Sequence, residues 1–439
     1  MQVLSPSRQD VTCGSTCDNS PLIDRATATR RPSLLSSLRR KAVLSALRRI
    51  RHGQVTIGGA GVRETFGSAG NGLSARVEVL DDRFFSEVLW GGSLGAAEAY
   101  RQGYWRCDDL VSLIRILARN RDALASLGVK TRWLMAPAQR LRHCWHRNSQ
   151  AGSRRNIAAH YDLSNAFFAT FLDPTMTYSS GIFSSPQSTM EEASVEKYDR
   201  ICRVLRLTPK DRVLEIGTGW GGFAEHAARH YGCHVTTTTI SAAQHEYAAQ
   251  RFDQSGLDDR ITLLRHDYRA LQGQFDKLVS IEMIEAVGYE YLDTYFRQCA
   301  RLLKPTGSML LQAITMPDQG YRHYLKSVDF IQRYIFPGGC LPSLGAICDS
   351  VRRVTDFRVT MLDDFAQHYA RTLQLWRAEF FRRLDEIREL GMDDVFIRTW
   401  DFYFCYCEGA FCENLTGVAQ ILLEKPGCRR YAENEEESA

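Results

Sequence analysis

The sequence predicts an α/β protein: a doubly wound, mostly parallel sheet preceded by a smaller, basic unit. Three observations carry this. From about residue 195 onward, strand-like apolar runs alternate with helical patterns. The glycine cluster GTGWGG (217–222) follows the first of those runs and opens a helix, the arrangement of nucleotide-binding turns. Charge is also split along the chain. Residues 1–160 hold 25 Lys/Arg against 12 Asp/Glu, whereas 161–439 hold 30 against 39.

Residues 1–29 are rich in Ser, Thr and Asp without periodicity and read as disordered. The segment RRPSLLSSLRRKAVLSALRRIRHG follows, with Leu34, Leu35, Leu38, Val43, Leu44, Leu47 and Ile50 set among Arg39, Arg40, Lys41, Arg48, Arg49 and Arg51. No acidic residue lies between Ala26 and Arg63, so the pattern fits a basic amphipathic helix on a lipid surface. It fits equally a helix whose leucines dock on its own domain. A small basic N-terminal domain over 30–130 contains a strand at VEVL (77–80) and a helix at DDLVSLIRILARN (108–120). A basic linker over 131–156 lies in a second acid-free stretch, Ala123 to Tyr161, with Arg132, Arg140, Arg142, Trp133 and Trp145. It could touch lipid headgroups or be a solvated connector.

The main domain, 157–425, supplies strands at 212–217, 234–240, 261–267, 275–282 and 308–314, a helical region over about 366–412 and a closing strand at GVAQILLEKP. An acidic tail, 426–439, ends the chain. Thirteen scattered cysteines without histidines at zinc-finger spacing suggest thiols in a reducing compartment and no metal site. There is no 18-residue apolar run and no signal-peptide core in MQVLSPSRQD, which points to a cytoplasmic, peripherally membrane-associated protein. The basic front half calls for a polyanion. An anionic membrane is preferred to nucleic acid, because no prolyl-aromatic base-flipping tetrad is present.

The glycine turn alone does not choose between a dinucleotide and S-adenosylmethionine (SAM). A dinucleotide site carries an acidic residue about 20 positions on, for the ribose. Here that strand ends in Thr238, Thr239, Ile240 and Ser241, with no carboxylate. Glu215 instead precedes the first glycine, and Asp267–Tyr268 at the next strand end suits an adenine edge and face. SAM is favoured.

The segments HYDLSNAFFATFLDPTMTYSS (160–180), LEIGTGWGGFAEHAA, TTISAAQ, SIEMIEAVG, RYIFPGGCLPS and HYARTLQLW, in this order, resemble the cyclopropane-fatty-acyl-phospholipid synthase family. GGSLGAAEAYRQGYW (91–105) resembles the small N-terminal domain of its phospholipid-acting branch. The resemblance implies a Rossmann-like class I SAM methyltransferase sheet with helical lipid-pocket insertions. It implies methylene transfer to the cis double bond of an unsaturated phospholipid acyl chain in an anionic membrane, through methyl transfer, a carbocation and bicarbonate-assisted deprotonation. A homodimer is compatible with it. SAM contacts are implied at Tyr178, Ser179, Gly217, Gly219, Thr239, Ile240, Gln244 and Tyr268, with Asp267 and the turn-ordering Glu215 added. A bicarbonate cradle is implied at Glu285, the Ile314 backbone and Tyr369, and a cation-facing ring at Tyr161.

Three positions depart from the family pattern: Ser180 replaces a cysteine, Gln312 a histidine, and Ala286 the histidine after the glutamate. Serine and glutamine can still hold an anion by hydrogen bonds, but no titratable group remains there. The departures admit a second product class, methyl- or methylene-branched chains, and a non-catalytic SAM-binding membrane protein. Tyr369 shares a helical stripe with Leu373, Trp376 and Phe380 and could be core; Glu285 could be a structural cap or ion-pair partner.

Overall fold

Two sheets organise the computed structural model, which describes residues 34–124 and 163–429. The front sheet has β1 (Gly53–Gly59), β2 (Val62–Ser68), β3 (Ser74–Val79) and β4 (Trp105–Cys107), in the order β2-β1-β3-β4. Val55 and Ile57 of β1 point into the core while Gln54 and Thr56 are half-buried, the period-2 pattern of a sheet with one wet face. The expected strand at 77–80 is β3. The expected helix at 108–120 is Leu110–Arg119, started by Asp109, whose carboxylate accepts the Ser112 N–H at 2.8 Å. Tandem glycines in GQVTIGG hid β1 from periodicity alone.

The basic segment forms the helix Leu34–Leu47, whose two halves differ in burial. Val43, Leu44 and Leu47 are buried in the domain, while Leu35 and Leu38 are each 64% exposed. Arg40 pairs with Asp82 and Arg39 donates to the Ser86 hydroxyl, both at 2.9 Å, so these two arginines tie the helix to its own domain.

The second sheet comprises β5 (Arg212–Ile216), β6 (His234–Thr238), β7 (Ile261–Leu264), β8 (Phe275–Ile281), β9 (Leu303–Thr315), β10 (Arg358–Asp364) and β11 (Gly417–Glu424), in the order β10-β11-β9-β8-β5-β6-β7. β9, β8, β5, β6 and β7 run parallel, and β11 and β10 are antiparallel additions. Leu310, Leu311, Val418 and Ile421 are buried, as expected of central strands covered on both faces. β10 was not foreseen: it is an edge strand with mostly exposed residues and lacks an apolar run. The helical region near 366–412 is three helices, Ala366–Arg382, Leu384–Glu389 and Asp394–Cys412, interrupted at Gly391, whose φ is +86°.

Those helices join the two parts of the chain. The Tyr100 hydroxyl donates to Asp401 at 2.5 Å, and Arg115 and Arg119 each donate to Glu413 at 2.8 Å. Phe167, Phe168 and Phe171 pack with Trp376, Phe380, Trp400 and Phe404 in a buried aromatic cluster under the cleft. Among the described residues no helix is long and apolar enough to cross a membrane. The ten described cysteines are free thiols. The expected disordered start, the linker 131–156 and most of the acidic tail lie outside the described residues.

The parallel strands end at one rim, and the tight turn after β5 brings backbone to it. Gly221 has φ +92°, and a Cβ there would sit 2.8 Å from the Phe252 ring. Gly221→Ala is therefore expected to destabilise the protein by about 1–3 kcal/mol, read from the urea midpoint. An unchanged midpoint would mean that this backbone conformation is not required.

Candidate active site

A cavity of about 1150 Å³ opens at the carboxyl ends of the parallel strands, where open α/β sheets bind ligands. Of the expected cofactor residues, Tyr178, Ser179, Glu215, Gly217, Gly219, Thr239, Ile240, Gln244, Asp267 and Tyr268 all line it. Gly217 has φ +106° and Gly219 φ +54°, and a Cβ on Gly219 would meet open space, so backbone is left bare at the helix Gly222–Tyr231. The Thr239 hydroxyl donates to the Gln244 amide oxygen at 3.0 Å, fixing both. Asp267 is held by Arg269 through two side-chain bonds of 2.8 and 2.7 Å, and the Tyr268 ring stands edge-on to Tyr295. The Glu215 carboxylate accepts the Thr237 hydroxyl at 2.6 Å; burial raises its pKa to about 8 despite that bond and the neighbouring Lys197. This set fits SAM: bare backbone at a helix start, an amide–hydroxyl pair, and an acid beside an aromatic face.

The far part of the cavity is apolar, lined by Phe336, Leu373, Tyr403, Cys407, Ala410 and Phe411 among others. The Tyr178 hydroxyl donates to the Tyr403 hydroxyl at 3.1 Å, and the Tyr178 ring lies 5.2 Å from that of Trp376. A fatty chain fits such a wall. Tyr161 lies outside the described residues.

At the junction of the two parts sits a residue that the sequence reading passed over. Glu282 follows β8 in the left-handed conformation, φ +48°, which is uncommon and costly for a residue with a side chain. Its own N–H donates to the Gln312 carbonyl at 2.8 Å. Its carboxylate takes three donors: the Ser180 backbone N–H at 3.0 Å, the Gln312 side-chain amide at 2.8 Å and the Tyr369 hydroxyl at 2.8 Å. Gln420 fixes the Gln312 amide from the other side, donating to its oxygen at 3.0 Å. Ser180 and Gln312 are wholly buried and stand behind Glu282.

Glu285 is placed separately. One carboxylate oxygen accepts the Ile314 N–H at 2.6 Å, so two groups expected to cradle a bicarbonate bond to each other, while the other oxygen is buried and has no partner among the described residues. Burial first, then the charge of Glu282, raise its pKa to about 8. Burial also raises that of Glu282, but Lys197, Gln312, Tyr369 and Ser180 all oppose the rise. The environments of the two carboxyls thus differ: burial and an acidic neighbour raise Glu285, whereas donors and an ammonium oppose the rise at Glu282.

The expected bicarbonate meets a donor set that is already engaged. Ser180, Gln312 and Tyr369 already serve a carboxylate belonging to the chain, and a further anion would sit beside two acidic side chains. The residues present do not fit bicarbonate. The signal was in the motif SIEMIEAVG, whose first glutamate ends the strand. Periodicity gives no reason to prefer it over the second.

The comparisons place the chain in a known family. The family described as mycolic acid cyclopropane synthetase matches residues 148–421. The chain belongs to that family. It is similar to the tuberculostearic acid methyltransferase UfaA1 of Mycobacterium tuberculosis, 39% identical over 76% of this chain and 80% of the relative. It is also similar to the cyclopropane-fatty-acyl-phospholipid synthase of Escherichia coli, 37% identical over 82% and 90%. Among solved structures it matches the mycolic acid cyclopropane synthase CmaA1 complexed with SAH and CTAB, with a TM-score of 0.58 and 32% identity over 62% of this chain and 98% of that one. Family membership makes the chain a SAM-dependent methyltransferase with the class I fold, of the cyclopropane-fatty-acyl-phospholipid synthase type.

Glu285 links the site to stability. Its pKa is raised in the folded state, so the folded protein holds a proton that the unfolded chain releases above about 4.5. That contribution is complete at low pH and is lost as pH rises from about 4.5 to about 8. Glu285→Gln, which is neutral throughout, should show a shallower decline of the urea midpoint across that window. A decline equal to the wild type's would mean that Glu285 is ionised in the folded protein.

Proposed function

We propose that this enzyme transfers the SAM methyl group to the cis double bond of an unsaturated acyl chain in a phospholipid of an anionic membrane, with Glu282 receiving the proton then released. The observation that carries the reading is the Glu282 carboxylate on its three donors, where the apolar and polar parts of the cavity meet. SAM supplies, when bound, an electrophilic methyl group on a sulfonium.

The residues of the chain do the rest. The apolar wall excludes water and holds the alkene, a weak nucleophile, near its electrophile. As the alkene electrons form the new carbon–carbon bond, the carbon–sulfur bond breaks and its electrons stay on sulfur. A carbocation remains on the chain. Tyr178 and Tyr403 rings line this region, and an aromatic face is worth about 2 kcal/mol to a desolvated cation. The Glu282 oxygen removes a proton from the added methyl, and that C–H electron pair closes a three-membered ring.

A second product has a specific observation in its favour. Glu282 is fixed in the wall by three bonds, so it reaches only what the acyl chain presents to it. Proton loss from a neighbouring chain carbon leaves a methyl-branched alkene. A hydride shift followed by loss from the methyl leaves an exocyclic methylene. All three products gain one CH2. Catalytic hydrogenation under alkene-reducing conditions separates them, because the ring resists and the alkenes take up hydrogen. Glu282→Gln should lower label transfer from SAM into unsaturated phospholipid vesicles by about 100-fold or more while SAM binding persists. Wild-type transfer in that variant would remove Glu282 as the base. Absence of any label in lipid with the wild type, while SAM still binds, would leave a non-catalytic SAM-binding protein.

The membrane reading is supported by the exposed Leu35, Leu38 and Trp90 together with exposed Lys41, Arg48, Arg49 and Arg51. Replacing Leu35 and Leu38 with serine should weaken sedimentation with anionic vesicles by about tenfold or more. Binding should also fall as salt rises. Unchanged sedimentation would exclude this helix as the contact.

A further inference from the structure

Lys197, in the helix Met190–Leu205, is a charged residue with no exposed surface. An ammonium without water is costly unless anions compensate it. Its Nζ donates to the Ser179 hydroxyl at 2.5 Å, which fixes it directly behind the segment Tyr178–Ser180 on the cavity wall. Three acidic groups act on its charge: Glu282 after β8, Asp173 before that wall segment, and Glu215 at the end of β5. They are not equivalent. Asp173 is already satisfied by the Thr175 N–H and hydroxyl and the Ser194 hydroxyl, and Glu215 by Thr237. Glu282 is the one whose backbone anchor, Ser180, is next in sequence to the serine that holds the lysine.

We infer that Lys197 is a positioning residue for the proton acceptor: its ammonium, clamped by Ser179, selects Glu282 over Glu285 as the ionised member of the pair. The inference rests on the reading of Glu282 as the base. The groups facing Glu282 are Lys197, the hydroxyl of Tyr369, the amide of Gln312, the Tyr403 side chain and the acid of Glu285. Only the lysine brings a positive charge from within this set. Without it, Glu282 keeps neutral donors, burial and an acidic neighbour, which together favour protonation. Its buried ammonium is itself pushed down to about 8, so the arrangement works on the acid side of that value.

The test is the pH dependence of label transfer from SAM to unsaturated phospholipid vesicles, for wild type, Lys197→Met and Ser179→Ala. In Lys197→Met the acid limb, where the base must lose its proton, should move upward by about one pH unit or more. In Ser179→Ala the lysine keeps its charge but loses its clamp, and the limb should move the same way by less. A uniform loss of rate with the limb in place would assign Lys197 a packing role and overturn the inference. If Lys197→Met does not fold by circular dichroism, Ser179→Ala decides by the same criterion. An active Glu282→Gln enzyme would instead remove the base itself. An unmoved limb beside an inactive Glu282→Gln enzyme overturns this inference alone.

Discussion

A carboxylate drawn largely out of solvent needs donors, and the cleft is organised around supplying three of them to one. Glu282 is half-buried, carries a backbone conformation that a side chain disfavours, and is held by a backbone N–H, a glutamine amide and a tyrosine hydroxyl. Three elements far apart in sequence supply those donors: the segment around Ser180, β9 and the helix Ala366–Arg382. Stored strain of this kind persists where the surroundings over-determine it, which is characteristic of functional sites. The network also locks the acyl-pocket helix to the sheet, because Tyr369 is at once a donor to Glu282 and a stacking partner of Phe411 at 4.5 Å.

The pairing of Glu282 with Glu285 divides labour between two otherwise similar acids. One carries three donors and acts beside an ammonium; the other is held by the Ile314 backbone and has an oxygen with no hydrogen-bond partner among the described residues. Environment alone sets the two acids apart. The same donors explain the family departures at Ser180 and Gln312. Ser180 contributes its backbone, so its side chain is not required to bind. Gln312 offers an uncharged donor, whose orientation Gln420 fixes.

The fold was legible where physics leaves a strong local trace. Continuous apolar runs marked five parallel strands and β11, and the glycine turn marked the cofactor end of the cleft. β1, β2 and β10 were not legible, being short, glycine-bearing or exposed on an edge. In the site, the ten cofactor residues expected through the family resemblance all line the cavity, beside others such as Thr218 and His266 that were not anticipated. Glu282 and Lys197 were missed for a common reason. Their significance lies in long-range contacts, and in sequence each reads as one charged residue beside a strand end or within a polar helix. The basic helix at 34–47 was ambiguous because its two halves do different things, one buried and one exposed.

The central claim is that the chain carries its own anion in the place where a free one would otherwise be held. The most direct measurement is the rate of methyl transfer to unsaturated phospholipid vesicles in buffer stripped of carbon dioxide, with and without added bicarbonate. The account predicts equal rates in both. A rate that collapses on stripping and returns with bicarbonate would contradict it.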